Sequence, residues 1–156
     1  MTTKNAKQKQ TNIADTFIRD VQVNYVSSKT PSFRITGPAN AVSYLRTLFP
    51  DNSREHFIVI YLDGSNCVAS YSVISTGTAN SAQVHPREIF QRAVLVGAVS
   101  IIAAHNHPSG NLNPSLEDRN VSTRIQEAGE LLGIRVLDSL IITNDSAYSI
   151  MTDDTL

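Results

Sequence analysis

Cysteine is almost missing from this chain: Cys67 is the only one among 156 residues. No intrachain disulfide can form, and a zinc site built from thiolates is excluded. A disulfide-free chain suits a reducing cytoplasm, which is where we expect it to reside. No stretch has the uninterrupted apolar length of a membrane span, so no membrane partner is expected. The opening "MTTKNAKQKQTN" is basic and polar and lacks the apolar centre of a secretory signal. An excess of one charge is missing too. The formal net charge is −1, so the chain carries no global electrostatic footprint for nucleic acid. Internal repeats are absent. What is present is an ordinary globular composition with enough Ile, Val and Leu for one core.

Residues 1–19 are expected to form a polar tail, disordered at least through residue 12, because Lys, Gln, Asn and Thr bury too little surface to offset ordering. Residues 20–156 are expected to form one domain. In it "VQVNYV" (21–26) alternates apolar and polar residues as a half-buried strand does. "GPANAVSYLRTLF" has Val42, Leu45, Leu48 and Phe49 at helical spacing. Two strands follow, Phe57–Leu62 and Val68–Ser75, joined through the turn "DGSN". "HPREIFQRAVLVG" reads as a second helix, with Pro86 in its first turn, Glu88 favoured by the helix dipole, and Gly97 at its end.

"VSIIAAHNH" is a short run of strand type, buried on both faces. A long helix is expected from Ser115 to Leu132, stopping at Gly133. "RVLDSLIIT" and "AYSIM" then read as strands with "NDS" between them. This order of elements predicts an α/β or α+β fold: a single-domain mixed sheet flanked by helices.

Two of the four histidines stand in "HNHPSGNLNPSLED" (105–118), directly after the buried strand. Residues two apart on a strand share a face, so His105 and His107 can aim at one point while Asn106 points away. Asp118 falls in the first turn of the next helix, a natural neighbour of the strand end. Two imidazoles, a carboxylate and an open fourth position describe a catalytic zinc site. A second reading stands beside it. His-x-His is common on surfaces, and Ser115 with Asp118 fits a capping box in which both side chains serve backbone amides. A hydrolytic zinc also needs a carboxylate base. Glu55 opens an apolar, central strand, where a carboxylate is costly without work or a partner; a solvated strand end is its plain alternative.

"REHFIVIYLD", "VHPREIFQRAV", "AAHNHPSGNLNPSLED" and "EAGELLGIRVLDSLIIT" together resemble the RadC-like JAB domain, a branch of the JAB/MPN (JAMM) metalloprotein superfamily. The resemblance runs from about residue 35 to 150. It implies a cytidine-deaminase-like JAB/MPN fold with one Zn2+ held by His105, His107 and Asp118. Glu55 takes the place of the glutamate that deprotonates the metal's water, and Ser115 that of the serine whose hydroxyl stabilises the oxyanion. The implied activity is that of a zinc metallohydrolase, a metallopeptidase or isopeptidase acting on a peptide or protein. The alternatives are a non-catalytic zinc-containing scaffold and a DNA-repair or mobile-element accessory protein. Longer RadC proteins carry an upstream segment of helix-hairpin-helix character that the residues ahead of this resemblance are too few to supply. Direct nucleic-acid binding therefore rests on family association, with no aromatic and basic stripe to support it.

Other signatures are excluded. Zinc deaminases need H-x-E with P-C-x-x-C, and H-E-x-x-H is absent as well. His85 reads as a residue at the start of a helix. His56 should point opposite Glu55, and Arg87 and Arg92 should lie on a solvated face. Cys67 should be a small core or edge residue. Asn106 and Ser109 either orient ligands or satisfy the turn's backbone. The strand edge at 147–151 is the expected place for a second copy to pair if the chain forms a homodimer.

Overall fold

Strands that are apolar on both faces belong in the middle of a sheet, and the sequence holds two of them. In the computed structural model, which describes residues 22–24, 26, 32–77 and 84–156, β1 (Glu55–Leu62) and β3 (Ser100–Asn106) lie side by side and almost wholly buried. They belong to one six-stranded sheet of order β2-β1-β3-β4-β5-β6. The other strands are β2 (Val68–Gly77), β4 (Arg135–Ile142), β5 (Ala147–Ser149) and β6 (Asp154–Thr155). Only β3 and β4 run parallel, and they are joined by the crossover helix α3 (Leu116–Leu132). The expected mixed sheet flanked by helices is what the chain forms.

The two faces sort by parity. Ile58, Ile60 and Leu62 of β1, with Ile102 and Ala104 of β3, pack under α1 (Pro38–Arg46) through Ala41, Val42 and Leu45. Phe57, Val59 and Tyr61, with Ile101 and Ala103, face α2 (Pro86–Leu95) and α3 through Ile89, Phe90 and Ile125. β1 and β3 are antiparallel with Phe57 opposite His105. Odd-numbered residues at this end of both strands therefore face the α2–α3 layer, which puts Glu55 and His105 on one side of the sheet.

α3 begins at the Ser115 cap and ends at Gly133, whose φ of 68° is the left-handed conformation glycine takes readily. Near that end, Gly129 lets the helix lie against β4: a Cβ there would stand 2.6 Å from the Ile134 carbonyl oxygen.

Three expectations need correcting. Of the strand expected over 21–26, the described residues Gln22, Val23, Asn24 and Val26 are exposed and belong to no regular element. Alternation alone did not provide a neighbouring strand to bond to. The strand expected over 147–151 stops at Ser149, and the chain turns back through β6, which pairs with β5. The edge expected to be open for a second copy is thus covered. Finally, α1 ends at Arg46, and Leu48 and Phe49 pack against the core from beyond it. The expected tail over 1–19 lies outside the described residues.

Candidate metal centre

β3 is buried along its whole length and delivers His105 to the sheet's end, where the chain leaves through a Pro108-Ser109-Gly110 turn. His107, two residues on, keeps the same side. His105 Nε2 and His107 Nε2 come within 3.0 Å of each other. Asp118, from the first turn of α3, places Oδ1 3.2 Å from His105 Nε2 and Oδ2 3.8 Å from His107 Nε2. One ligand atom from each of the three residues falls within 4.8 Å of the others. Zinc bonds of about 2.0–2.1 Å at tetrahedral angles would hold such atoms roughly 3.3 Å apart. The three separations, measured to both oxygens of the Asp118 carboxylate, lie near that value, and two imidazole nitrogens with one carboxylate are a donor set that zinc accepts. The residues fit the metal.

Each candidate ligand is held by its surroundings. His107 Nδ1 donates to the Asn111 carbonyl at 2.6 Å. That bond fixes the tautomer and leaves the Nε2 lone pair toward the centre. The loop that supplies this carbonyl is stiffened by Ser109 Oγ, which accepts from Asn111 N, and by Asn111 Oδ1, which accepts from Asn113 N. His105, 7% exposed, is oriented instead by stacking against Phe57, with ring centroids 6.0 Å apart and planes inclined by 9°.

Asp118 faces two ways at once. Its Oδ2 accepts from Ser115 N and Ser115 Oγ, both at 2.7 Å, while Ser115 Oγ accepts from Asp118 N at 3.1 Å. This is a complete capping box. A capping role and a metal-ligand role are compatible in one carboxylate, because both cap bonds fall on Oδ2 while Oδ1 faces His105. Partial burial pushes the Asp118 carboxyl up, but His105 and the Ser115 donors outweigh it and hold the group well below the ordinary carboxylate range.

Glu55, half-buried at the start of β1, lines the same cleft as His105 and Asp118. Phe57 and Val121 form apolar wall, and Glu117 adds another carboxylate. Among the described residues lining this cleft there is no lysine or arginine.

The remaining candidates fall outside the centre. His85 is the exposed residue before α2, as expected of a helix start. His56 does point away from Glu55's side: it is buried, with Nδ1 3.0 Å from Thr76 Oγ1 and Nε2 3.4 Å from Asp51 Oδ2. Arg87 and Arg92 are exposed, Arg92 reaching the Tyr71 carbonyl. Cys67 is half-buried in a bridge with Arg34 at the edge.

The sequence reading missed the Asn111 carbonyl and the Phe57 ring. A backbone acceptor leaves no trace in residue type, and Phe57 looks like any core residue until the register sets it opposite His105.

Comparison with known proteins matches residues 35–155 to the RadC-like JAB domain. A UPF0758 protein of Staphylococcus haemolyticus is 38% identical over 130 residues, covering 83% of this chain and 57% of that protein. One from Rubrobacter xylanophilus is 46% identical over 108 residues, covering 69% and 48%. One from Geotalea uraniireducens is 43% identical over 116 residues, covering 74% and 51%. The chain spans about half the length of these curated relatives. The mixed sheet with its flanking helices is consistent with the JAB/MPN fold.

Proposed function

The chain belongs to the RadC-like JAB domain family, and from that premise we propose that it is a zinc metallohydrolase that cleaves an amide bond in a peptide or protein. The observation that carries this reading is the convergence of two imidazole nitrogens and a carboxylate, of which His105 and Asp118 line a cleft that also presents Glu55.

A zinc ion held by His105, His107 and Asp118 would supply a water ionising near neutral pH and a positive charge for the developing oxyanion. Glu55 would accept a proton from the attacking water and return it to the leaving nitrogen as the C–N bond breaks. Ser115 donates to the oxyanion. Its hydroxyl proton, which points to Asp118 Oδ2, is redirected by rotation about Cβ–Oγ while Oγ still accepts from Asp118 N. Phe57 and Val121 keep one side of the cleft apolar, which strengthens each of these polar contacts.

The acidic lining also bears on the rival roles. Among the described residues lining the cleft a phosphodiester backbone meets carboxylates and no lysine or arginine, so a neutral or cationic peptide suits it better. The single cysteine supports a cytoplasmic setting. The scaffold reading keeps the same metal and predicts no turnover.

The test compares the zinc-loaded protein with its Glu55→Gln variant on a broad panel of peptides and isopeptides. Turnover falling on the order of 10²–10⁴-fold with zinc retained supports the proposal. Equal activity, or equal inertness, overturns it.

A further inference from the structure

The residue between the two histidines faces the other way, and its contacts are specific. Asn106 is 3% exposed, in a strand whose preceding residues are mostly apolar. A buried amide is costly unless all its groups are bonded. Here they are. Oδ1 accepts from His56 N at 2.7 Å. Nδ2 donates to the Arg54 carbonyl at 3.0 Å and to Asn52 Oδ1 at 2.9 Å. Arg54 C=O and His56 N–H belong to the two peptide groups on either side of Glu55. One side chain therefore grips the backbone both before and after that residue.

The reason such a grip is needed lies in the ladder. The β1–β3 pairing ends at Phe57 opposite His105. Glu55 stands beyond it, where β1 is held on its other side only, by pairing with Gly77 of β2. A strand end held on one side frays easily. Asn106 replaces the missing backbone bonds from within the His-x-His segment itself. The partners also dictate the amide's orientation, since an N–H needs an acceptor and a carbonyl needs a donor.

We infer that Asn106 is a positioning residue for Glu55: it ties the backbone around that carboxylate to the strand bearing both histidines, so that base and ligands keep one fixed separation. Metal binding and base placement thereby share one rigid element. The inference rests on the proposed role of Glu55.

The test is a double-mutant cycle read through binding, so it needs no known substrate. Acetohydroxamate chelates zinc and presents polar groups to a neighbouring carboxylate. Its affinity for the zinc-loaded protein is measured for the wild type, Glu55→Gln, Asn106→Ala and the double variant, with zinc content per chain measured alongside. Both single variants should keep the zinc and each weaken acetohydroxamate about tenfold, the scale of one hydrogen bond to a charged group. In the Glu55→Gln background, Asn106→Ala should cost nothing more, because its effect passes through Glu55.

An Asn106→Ala loss of the same size in both backgrounds overturns the inference, as does no loss at all. If Glu55→Gln itself leaves affinity unchanged, the reading of Glu55 as the base has failed, which is a separate result. Should Asn106→Ala fold poorly, Asn52→Ala removes one acceptor of the same amide from an exposed site. It should weaken binding about twofold to threefold in the wild-type background and not in Glu55→Gln. Equal effects there overturn the inference too.

Discussion

Ser115 and Asp118 hold each other across the first turn of α3, Oγ to Oδ2 at 2.7 Å, while the same carboxylate's Oδ1 stands 3.2 Å from His105 Nε2. The capping-box partner and the candidate metal ligand are thus one side chain, and the two roles should separate by mutation. Ser115→Ala should cost about 1 kcal/mol of stability and leave close to one zinc per chain. Asp118→Ala should lose its half of the capping box and the metal, while Ser115 Oγ keeps its bond to the backbone N–H at 118. Melting temperature and metal analysis on the two variants check this.

Zinc should stabilise the folded wild type, since it binds the assembled site and not the unfolded chain. At a free concentration of 100 times its dissociation constant the gain is about 2.7 kcal/mol. His107→Ala should fold with a melting temperature indifferent to added zinc. A variant that still responds as the wild type does would place the metal elsewhere.

Gly129 should defy helix propensity. In an open helix, alanine in place of glycine gains about 0.8–1.0 kcal/mol. Here the new Cβ meets the Ile134 carbonyl oxygen at 2.6 Å and Val136 Cγ2 at 2.9 Å. Gly129→Ala should therefore lose about 1–3 kcal/mol through overpacking, read as a lower midpoint in denaturant.

Asp138 supplies a pH dependence. Burial raises its carboxyl above the ordinary value, although Ser149 and the Ser139 amide both donate to Oδ1. The folded state then holds the proton more tightly than the unfolded chain does. Its contribution is best below the unfolded value, near 3.9, and worsens as pH rises through the higher folded value. Asp138→Asn keeps an oxygen for both donors and removes the charge. It should raise the melting temperature at pH 7 by a few degrees, with the gain shrinking by pH 4. An equal gain at both values would mean that charge is not the cause.

Much of the architecture was legible because it follows from local chemistry. Runs apolar on both faces announced β1 and β3 as central strands, and Gly133 announced the end of α3. The period of two put His105 and His107 on one side. Other features depended on partners far along the chain. β6 is two polar residues with no strand pattern of their own, visible only once β5 is there to pair with them. The stretch 21–26 has the right alternation, yet its described residues join no sheet. Arg119 and Tyr148 both bond Asp153, tying α3 to the C-terminal turn, and nothing in their spacing hints at it.

The candidate metal-ligand set was thus legible in residue types at recognisable spacings, because imidazole and carboxylate are donors that zinc accepts whatever the fold. That Asp118 closes a capping box and also faces His105 was decided only by tertiary structure, which brought α3 onto the end of β3 so that one carboxylate could face two ways. The grip of Asn106 on the backbone around Glu55 was decided there as well. A hydrogen bond reaches about 3 Å, and only folding brings residues fifty positions apart within that reach.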